Sequence, residues 1–335
     1  MTSIASQTNR VRSANPASRS DLRWRCPQCA GIVEHAADTD PRRESHLQCP
    51  DCRFVLRKEG GIWKTLSRAS EEHFDRFMRE YQAVRAAEGR GSEDPKYYLA
   101  LPYRDLSGRN QSQWTIRSKS FRYLERSILP SLETTHRDGM KVLDLGAGNG
   151  WMSYRLALRG HQPVAVDLLT NDQDGLGAAV HFKQKLPMLF ECVQAELKSL
   201  PFADKQFDVA IFNASFHYSE DYEETLGEAI RCLVPGGPII IADTAWYSRT
   251  ESGELMVAER QSSFLNRYGF LSDGIKSLEY LTDERLSALE RRFGLRWQVH
   301  APFYGVRWAA RPLLAKLKGD REPSRFRIYV AETSE

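Results

Sequence analysis

The stretch Lys141-Val-Leu-Asp-Leu-Gly-Ala-Gly-Asn-Gly-Trp-Met-Ser153 decides the fold of this 335-residue chain. A short apolar run over 142–145 breaks into glycines at positions 146, 148 and 150, and a helix-compatible segment follows from 151 to 158. This order predicts a buried strand, a tight turn and a helix, the first half of a βαβ unit. Glycine suits such a turn because a ligand can lie against bare backbone. The first turn of the helix then offers free N–H groups to that ligand.

The glycine spacing indicates which ligand this turn can hold. The dinucleotide fingerprint requires a glycine three residues after the second one, and Trp151 stands there. Pyrophosphate is therefore not the expected ligand. The segment Asp144-Leu-Gly-Ala-Gly-Asn-Gly150 instead resembles motif I of the class I S-adenosylmethionine (SAM) dependent methyltransferases, especially the ubiquinone-biosynthesis type. The resemblance implies an α/β fold with a Rossmann-like sheet of seven strands, the last one antiparallel. It also implies a cofactor site that includes Asp144, Gly146, Ala147, Gly148 and Gly150.

Later segments resemble the same family, in the same order. Pro163-Val-Ala-Val-Asp167 predicts a strand that ends in a carboxylate, which can accept hydrogen bonds from both ribose hydroxyls. Leu168 would then pack beside the adenosine. Glu196 stands where the family commonly has an aspartate that reaches the adenine amino group. The expected cofactor set is completed by Leu197 and Asn213.

The segment 208–218 predicts the fourth strand and its exit loop. Methyltransferases that act on base amino groups often carry Asn/Asp-Pro-Pro-Tyr here. This chain has Asn213-Ala-Ser-Phe216 instead, which disfavours that chemistry. His217 follows and is the candidate catalytic residue. It could deprotonate an acceptor hydroxyl, or it could only orient the loop.

Four of the six cysteines form two C-x-x-C pairs, Cys26 with Cys29 and Cys49 with Cys52. Each pair can present two thiolates on one tight knuckle, and two knuckles complete a tetrahedral sulfur shell that favours zinc. The spacing between the pairs lies in the zinc-ribbon range. The segment resembles the zinc ribbons placed ahead of some class I methyltransferases, and we expect one structural zinc there. This use of cysteine suits a reducing compartment such as the cytoplasm.

The chain divides into four predicted parts. They are a disordered tail at 1–20, a zinc ribbon at 21–66, a helical linker or lid at 67–135 and a methyltransferase domain at 136–335 with insertions at 244–280 and 301–324. A transit peptide is the alternative for the tail. Phe74, Phe77, Tyr81 and Val84 recur at helical spacing and predict a packing face. By resemblance, the segment ahead of motif I covers the cofactor, which makes Tyr97, Tyr98 and Tyr103 candidates for that lid or for ordinary packing.

Composition bears mainly on partners. The net charge of +3 does not by itself argue for nucleic acid, and no run of 18 apolar residues predicts a membrane span. The stretch 303–318 mixes apolar and basic residues with no acidic one, so it could lie on an anionic membrane, on RNA, or in solvent as an ordinary helix. The expected acceptor is a small, partly apolar metabolite. The alternatives are methyl transfer to an RNA base and a non-catalytic SAM-binding subunit.

Overall fold

The computed structural model describes residues 22–33 and 46–333, so the predicted tail lies outside the described residues. The strands are β1 (Trp24–Arg25), β2 (Ile32–Val33), β3 (His46–Gln48), β4 (Val55–Glu59), β5 (Ile62–Lys64), β6 (Lys141–Leu145), β7 (Gln162–Asp167), β8 (Glu191–Gln194), β9 (Val209–Asn213), β10 (Pro238–Ala242), β11 (Gln298–His300) and β12 (Ile328–Glu332). The α-helices are α1 (Arg68–Ala87), α2 (Pro95–Ala100), α3 (Gln111–Tyr123), α4 (Leu129–Glu133), α5 (Trp151–Leu158), α6 (Tyr222–Cys232), α7 (Thr250–Tyr268), α8 (Asp283–Phe293), α9 (Val306–Ala309) and α10 (Arg311–Lys318). A π-helical turn (Leu124–Ile128) joins α3 to α4, and 3-10 turns cover Leu176–Gln184 and Phe216–Tyr218.

One mixed sheet of the described residues has the strand order β11-β12-β10-β9-β6-β7-β8-β5-β4-β3. Strands β6 to β10 run parallel, and β12 is antiparallel to both of its neighbours. The expected count of seven strands is not confirmed, because β5 pairs in parallel with β8 and adds β5, β4 and β3 to that edge. The pairing of a short hairpin with a particular sheet edge is a long-range event that strand patterns do not reveal.

The central strand β6 forms where the sequence predicts it. Its residues 142–145 are buried, as expected for a parallel strand covered on both faces. Gly146 has φ +75°, and an added Cβ would lie 2.2 Å from the Cβ of Ser215. The turn therefore requires glycine for its conformation and for the close approach of the loop after β9.

The cysteine-rich segment is joined to the main sheet by side chains as well as by strands. Lys58 Nζ donates to Glu191 Oε2 at 2.6 Å, and the indole N–H of Trp63 donates to the same oxygen at 3.2 Å. Trp24 packs on Trp63 with ring centroids 4.8 Å apart. The chain then passes from β5 directly into α1, whose first turn is capped by Ser67. The pairing of β5 with β8 thus places the start of α1 beside β8.

No helix of the described residues is both long and apolar enough to cross a bilayer.

Candidate cofactor and metal sites

A cleft opens at the carboxyl ends of β6, β7 and β9, where ligands bind in open α/β sheets. Its volume is about 880 Å³, open solvent at its mouth included. The walls combine backbone of the glycine turn, carboxylates, two arginines and several aromatic rings. A site of this size and composition fits a ligand with a polar and an apolar part.

Most of the predicted cofactor residues line this cleft. Those on its wall are Asp144, Gly146, Ala147, Gly148, Asp167, Leu168, Leu197 and Asn213. Gly150 does not line it, because it stands at the start of α5 with Phe190 behind it. Glu196 does not line it either, since its Oε1 accepts a hydrogen bond from Ser70 Oγ of α1 at 2.6 Å. The adenine contact of Glu196 therefore stays a prediction without a position in the cleft to support it.

Asp167 lies at the end of β7 and organises the turn on both sides of it. One carboxylate oxygen accepts the N–H of Gly148 and the other accepts the N–H of Leu169, both at 2.8 Å. Burial nevertheless raises the pKa of Asp167 to about 6. Each oxygen keeps a lone pair free, so the carboxylate can still accept hydroxyl groups from a ligand in the cleft.

Asp144 is buried in β6, two residues before the first glycine of the turn. Its Oδ2 accepts a hydrogen bond from Ser153 Oγ of α5 at 2.7 Å. Burial raises the pKa of Asp144 to about 7. The residue therefore ties β6 to α5 and adds a second acid to the cleft wall.

Two arginines give the cleft its positive charge. Arg85 of α1 pairs with Asp174, which also lines the cleft. Arg117 of α3 stacks on Trp114, with 5.0 Å from its guanidinium carbon to the ring centroid. Within the described residues Arg117 has no ion pair or hydrogen bond, although it lines the cleft. Among the described residues its charge is offset only by the Trp114 ring and, at longer range, by Asp243, so the guanidinium N–H groups are free to bind an anion in the cleft.

The aromatic wall differs from the one expected. Phe77 and Tyr81 of α1, Trp114 of α3 and Tyr218 line the cleft, and the Phe77, Tyr81 and Tyr218 ring centroids lie 5.5–5.9 Å apart. Tyr97, Tyr98 and Tyr103 lie outside it. The helical spacing correctly predicts that α1 buries one face. Spacing alone does not show whether that face covers protein or a ligand site.

His217, the candidate catalytic residue, does not line the cleft. It sits in the 3-10 turn after β9, and the next residue, Tyr218, reaches the cleft instead. Burial lowers the pKa of His217 to about 3, helped by Arg117 and Arg260. A pH-rate limb near 6.5 is therefore not expected from this histidine. Its role as a base stays a prediction that this position does not favour.

The four cysteines of the two pairs come together. Their sulfur atoms all lie within 4.8 Å of one another, and the Cys26–Cys52 and Cys29–Cys49 distances are both 3.5 Å. A zinc–sulfur distance of about 2.3 Å in a tetrahedron requires sulfurs about 3.8 Å apart. The donor set and its dimensions fit zinc, with each of the four positions filled by a thiol.

The two knuckles have the same backbone. Ala30 N donates to Cys26 O at 2.9 Å, and Arg53 N donates to Cys49 O at 3.1 Å. Ala30 and Arg53 both have positive φ, at 63° and 67°. A strained conformation repeated at equivalent positions indicates a shape imposed by a shared task, here the presentation of two thiols.

Comparisons with known proteins agree with this geometry. Residues 143–241 match a protein family described as a methyltransferase domain. The chain is 30% identical over 109 residues to malonyl-[acyl-carrier protein] O-methyltransferase of Erwinia billingiae. The aligned residues are 32% of this chain and 40% of that protein. It is 32% identical over 134 residues to sarcosine/dimethylglycine N-methyltransferase of Halorhodospira halochloris, with 40% and 47% covered. The chain thus spans less than half the length of these relatives.

A solved structure of the YcgJ protein from Bacillus subtilis aligns with a TM-score of 0.46 at 17% identity, covering 63% of this chain and 99% of that one. The family match begins within β6, at Leu143, and includes the glycine turn, Asp167 and the strand β10 up to Ile241. Strands β6 to β10 are parallel and β12 returns antiparallel, as the resemblance implies. Residues 143–241 of the chain therefore carry a methyltransferase domain.

Proposed function

We propose that the protein transfers a methyl group from SAM to a small, partly apolar metabolite, and that it belongs to the ubiquinone-biosynthesis-like type with a structural zinc ribbon. The observation that carries this proposal is the cleft itself, in which a bare glycine turn and Asp167 meet at the carboxyl edge of parallel strands. When bound, SAM supplies an activated methyl on a sulfonium, and little covalent chemistry is left for the protein.

The residues of this chain would hold the cofactor at two ends. Asp167 would accept the ribose hydroxyls, with Leu168 beside the adenosine, as the resemblance implies. Gly148 leaves the backbone open, since nothing lies closer than 3.7 Å to where its Cβ would be. At the other end, Arg117 would receive the carboxylate of the methionine part, because it is the cleft arginine that forms no ion pair among the described residues.

Positioning would supply most of the rate. Holding an acceptor in line with the methyl group contributes about 7–11 kcal/mol in well-oriented systems. Phe77, Tyr81 and Tyr218 would exclude water from this space and contact an apolar acceptor. Their hydrophobic character supports a small, partly apolar molecule rather than a polyanion.

The two relatives support a small acceptor group, and the partly apolar character proposed for it rests on the aromatic wall of the cleft. Their names state transfer to malonyl-[acyl-carrier protein] and to sarcosine or dimethylglycine. We expect methyl transfer from labelled SAM to a low-molecular-mass extract, with Asp167→Ala as the matched inactive control. Label recovered in RNA would favour RNA methylation. Cofactor binding without transfer to either fraction would favour a non-catalytic subunit.

The role of Arg117 can be tested by two ligands that differ in the methionine end. S-adenosylhomocysteine has the carboxylate, and 5′-methylthioadenosine lacks it. We expect Arg117→Gln to weaken the first by about tenfold or more, as for the loss of a hydrogen-bonded charge pair, and to leave the second unchanged. Calorimetry measures both. Equal affinity of wild type and variant for S-adenosylhomocysteine would instead assign Arg117 to the acceptor.

A further inference from the structure

The helical stretch 306–318 presents an apolar surface to solvent. Four of its large apolar side chains are at least half exposed, with values of 78% for Val306, 64% for Leu313, 50% for Leu314 and 75% for Leu317. Phe303, just before it, is 70% exposed. Single exposed apolar residues are common on proteins, but several in one short stretch indicate a surface that contacts something.

These side chains share one face. Backbone bonds from Ala310 N to Val306 O and from Leu314 N to Ala310 O carry the helical turn across the junction of α9 and α10. At about 100° per residue, the apolar side chains fall within an arc of about 100°. Trp308 lies roughly opposite, where it stacks on Phe326 with ring centroids 5.5 Å apart. The helix therefore packs on the protein by its tryptophan side and leaves the leucine side outward.

Basic residues flank the apolar face. Arg307 and Lys318 lie on one side of it and Lys316 on the other, by the same count. In the part of the chain that the structure describes, none of the three has an ion pair, and the sequence has no acidic residue between 301 and 319. Arg311 differs, because its guanidinium carbon lies 3.9 Å from the Trp308 ring centroid. An apolar stripe bordered by unpaired cations complements a surface that is apolar inside and anionic at its rim.

Tyr304, two residues before the stretch, is hydrogen-bonded to the domain. Lys119 Nζ donates to Tyr304 O at 2.6 Å, and the Tyr304 hydroxyl lies 2.8 Å from Ser120 Oγ. Both lysine and serine belong to α3, which also carries Trp114 and Arg117 on the cleft wall. From this arrangement we infer that the face formed by Val306, Leu313, Leu314 and Leu317, with Arg307, Lys316 and Lys318, docks the protein on an anionic lipid bilayer. The helix would lie in the interface with its apolar face among the acyl chains.

The experiment is co-sedimentation of the full chain with vesicles of phosphatidylcholine alone and of phosphatidylcholine mixed with phosphatidylglycerol. We expect binding to the anionic vesicles that weakens with added salt, and much less to the neutral ones. Leu313→Asn with Leu317→Asn should lower the partition coefficient by at least tenfold. Arg307→Gln, Lys316→Gln and Lys318→Gln should each lower it by about fivefold.

The matched control replaces apolar residues exposed elsewhere, Leu158→Asn with Met188→Asn, and should bind like wild type. All variants should keep wild-type affinity for S-adenosylhomocysteine, which separates a failed docking proposal from a failed function. Equal sedimentation of the leucine variant and wild type would overturn the inference. So would a wild-type dimer in light scattering that the leucine variant dissociates, since the face would then bind a second copy.

Discussion

At the scale of single residues, the site depends on how burial shifts the protonation of a few groups. Asp167 has two backbone N–H donors, which favour its charged form, yet burial still raises its pKa to about 6. The pKa of His217 moves down instead of up, because burial and two arginines favour the neutral form of a base. Neither shift follows from the residue type or from the motif. Both arise from side chains brought together by the fold.

Asp167 gives a prediction for the pH dependence of cofactor binding. The ionised carboxylate is the form that accepts two hydroxyl donors, and it is lost as the pH falls through about 6. We expect the affinity for S-adenosylhomocysteine to fall by about tenfold from pH 7 to pH 5, as the ionised fraction does. Calorimetry across this range measures it. Asp167→Asn should bind more weakly at pH 7 and show a flatter profile, and the same slope in that variant would contradict the assignment.

His217 gives a prediction for catalysis. A pKa of about 3 leaves the imidazole neutral at physiological pH but makes it a weak proton acceptor. We expect His217→Asn to retain turnover within a few-fold, and the wild-type rate to show no limb near pH 6.5 that the variant lacks. Steady-state rates from pH 5 to 9 test both points. A loss of about 10²-fold in turnover, with cofactor affinity intact, would restore the general-base role.

At the scale of elements, the sequence shows clearly where regular structure forms and less clearly what it faces. The glycine turn and the strand that ends at Asp167 carry local signals that are sufficient by themselves. For α1, local signals predict the helix but not what its apolar face covers. Its apolar face is visible in the sequence, but only the position of β5 beside β8 brings that face over the cleft.

Tyr97, Tyr98 and Tyr103, the lid candidates of the sequence, lie outside the cleft for the same reason. Tyr98 donates its hydroxyl to Gln173 O at 2.7 Å and stacks on His181, and Tyr103 donates to Glu125. Their hydroxyls are committed to protein partners. A tyrosine near motif I in sequence can therefore be part of the core beneath the site. The distinction depends on partners far away in the chain.

A pair of substitutions tests which element covers the cofactor. Tyr81→Ala removes an aromatic ring from the cleft wall, whereas Tyr103→Ala removes one outside it. We expect Tyr81→Ala to lower the affinity for S-adenosylhomocysteine by about tenfold, because a lost aromatic contact costs roughly 1–3 kcal/mol. Tyr103→Ala should lower stability and leave affinity within about twofold of wild type. The opposite ranking in calorimetry would return the lid to the segment before α3.

At the scale of the whole molecule, one continuous sheet links the cleft to Cys49 and Cys52, whereas Cys26 and Cys29 lie between the strands of the separate two-stranded sheet β1-β2. The hairpin of β4 and β5 pairs with β8 through β5, and Ser67, which follows β5, caps α1. Ser70 of α1 then donates a hydrogen bond to Glu196, which follows β8. A change in the ribbon can therefore reach the cleft through a short covalent and hydrogen-bonded path. The cysteine spacing alone predicts the cluster. It does not predict that the strands next to the cluster lead into a helix of the cleft wall.

Metal removal gives the prediction that joins the two sites. Four thiolates within 4.8 Å of one another would repel unless a bound cation neutralised them. Zinc binding should therefore stabilise the folded form of β3 to β5. We expect one zinc per chain by elemental analysis. Cys49→Ala should lose it, with reduced hydrogen-exchange protection in β3 to β5 and α1 but not in β6, β9 and β10. In the same variant the affinity for S-adenosylhomocysteine should fall several-fold.

The matched control is Cys232→Ala, which removes a buried thiol outside the cluster and should keep both zinc and affinity. Full zinc in Cys49→Ala would contradict the metal site, and loss of zinc with unchanged protection in α1 would contradict its link to the cleft.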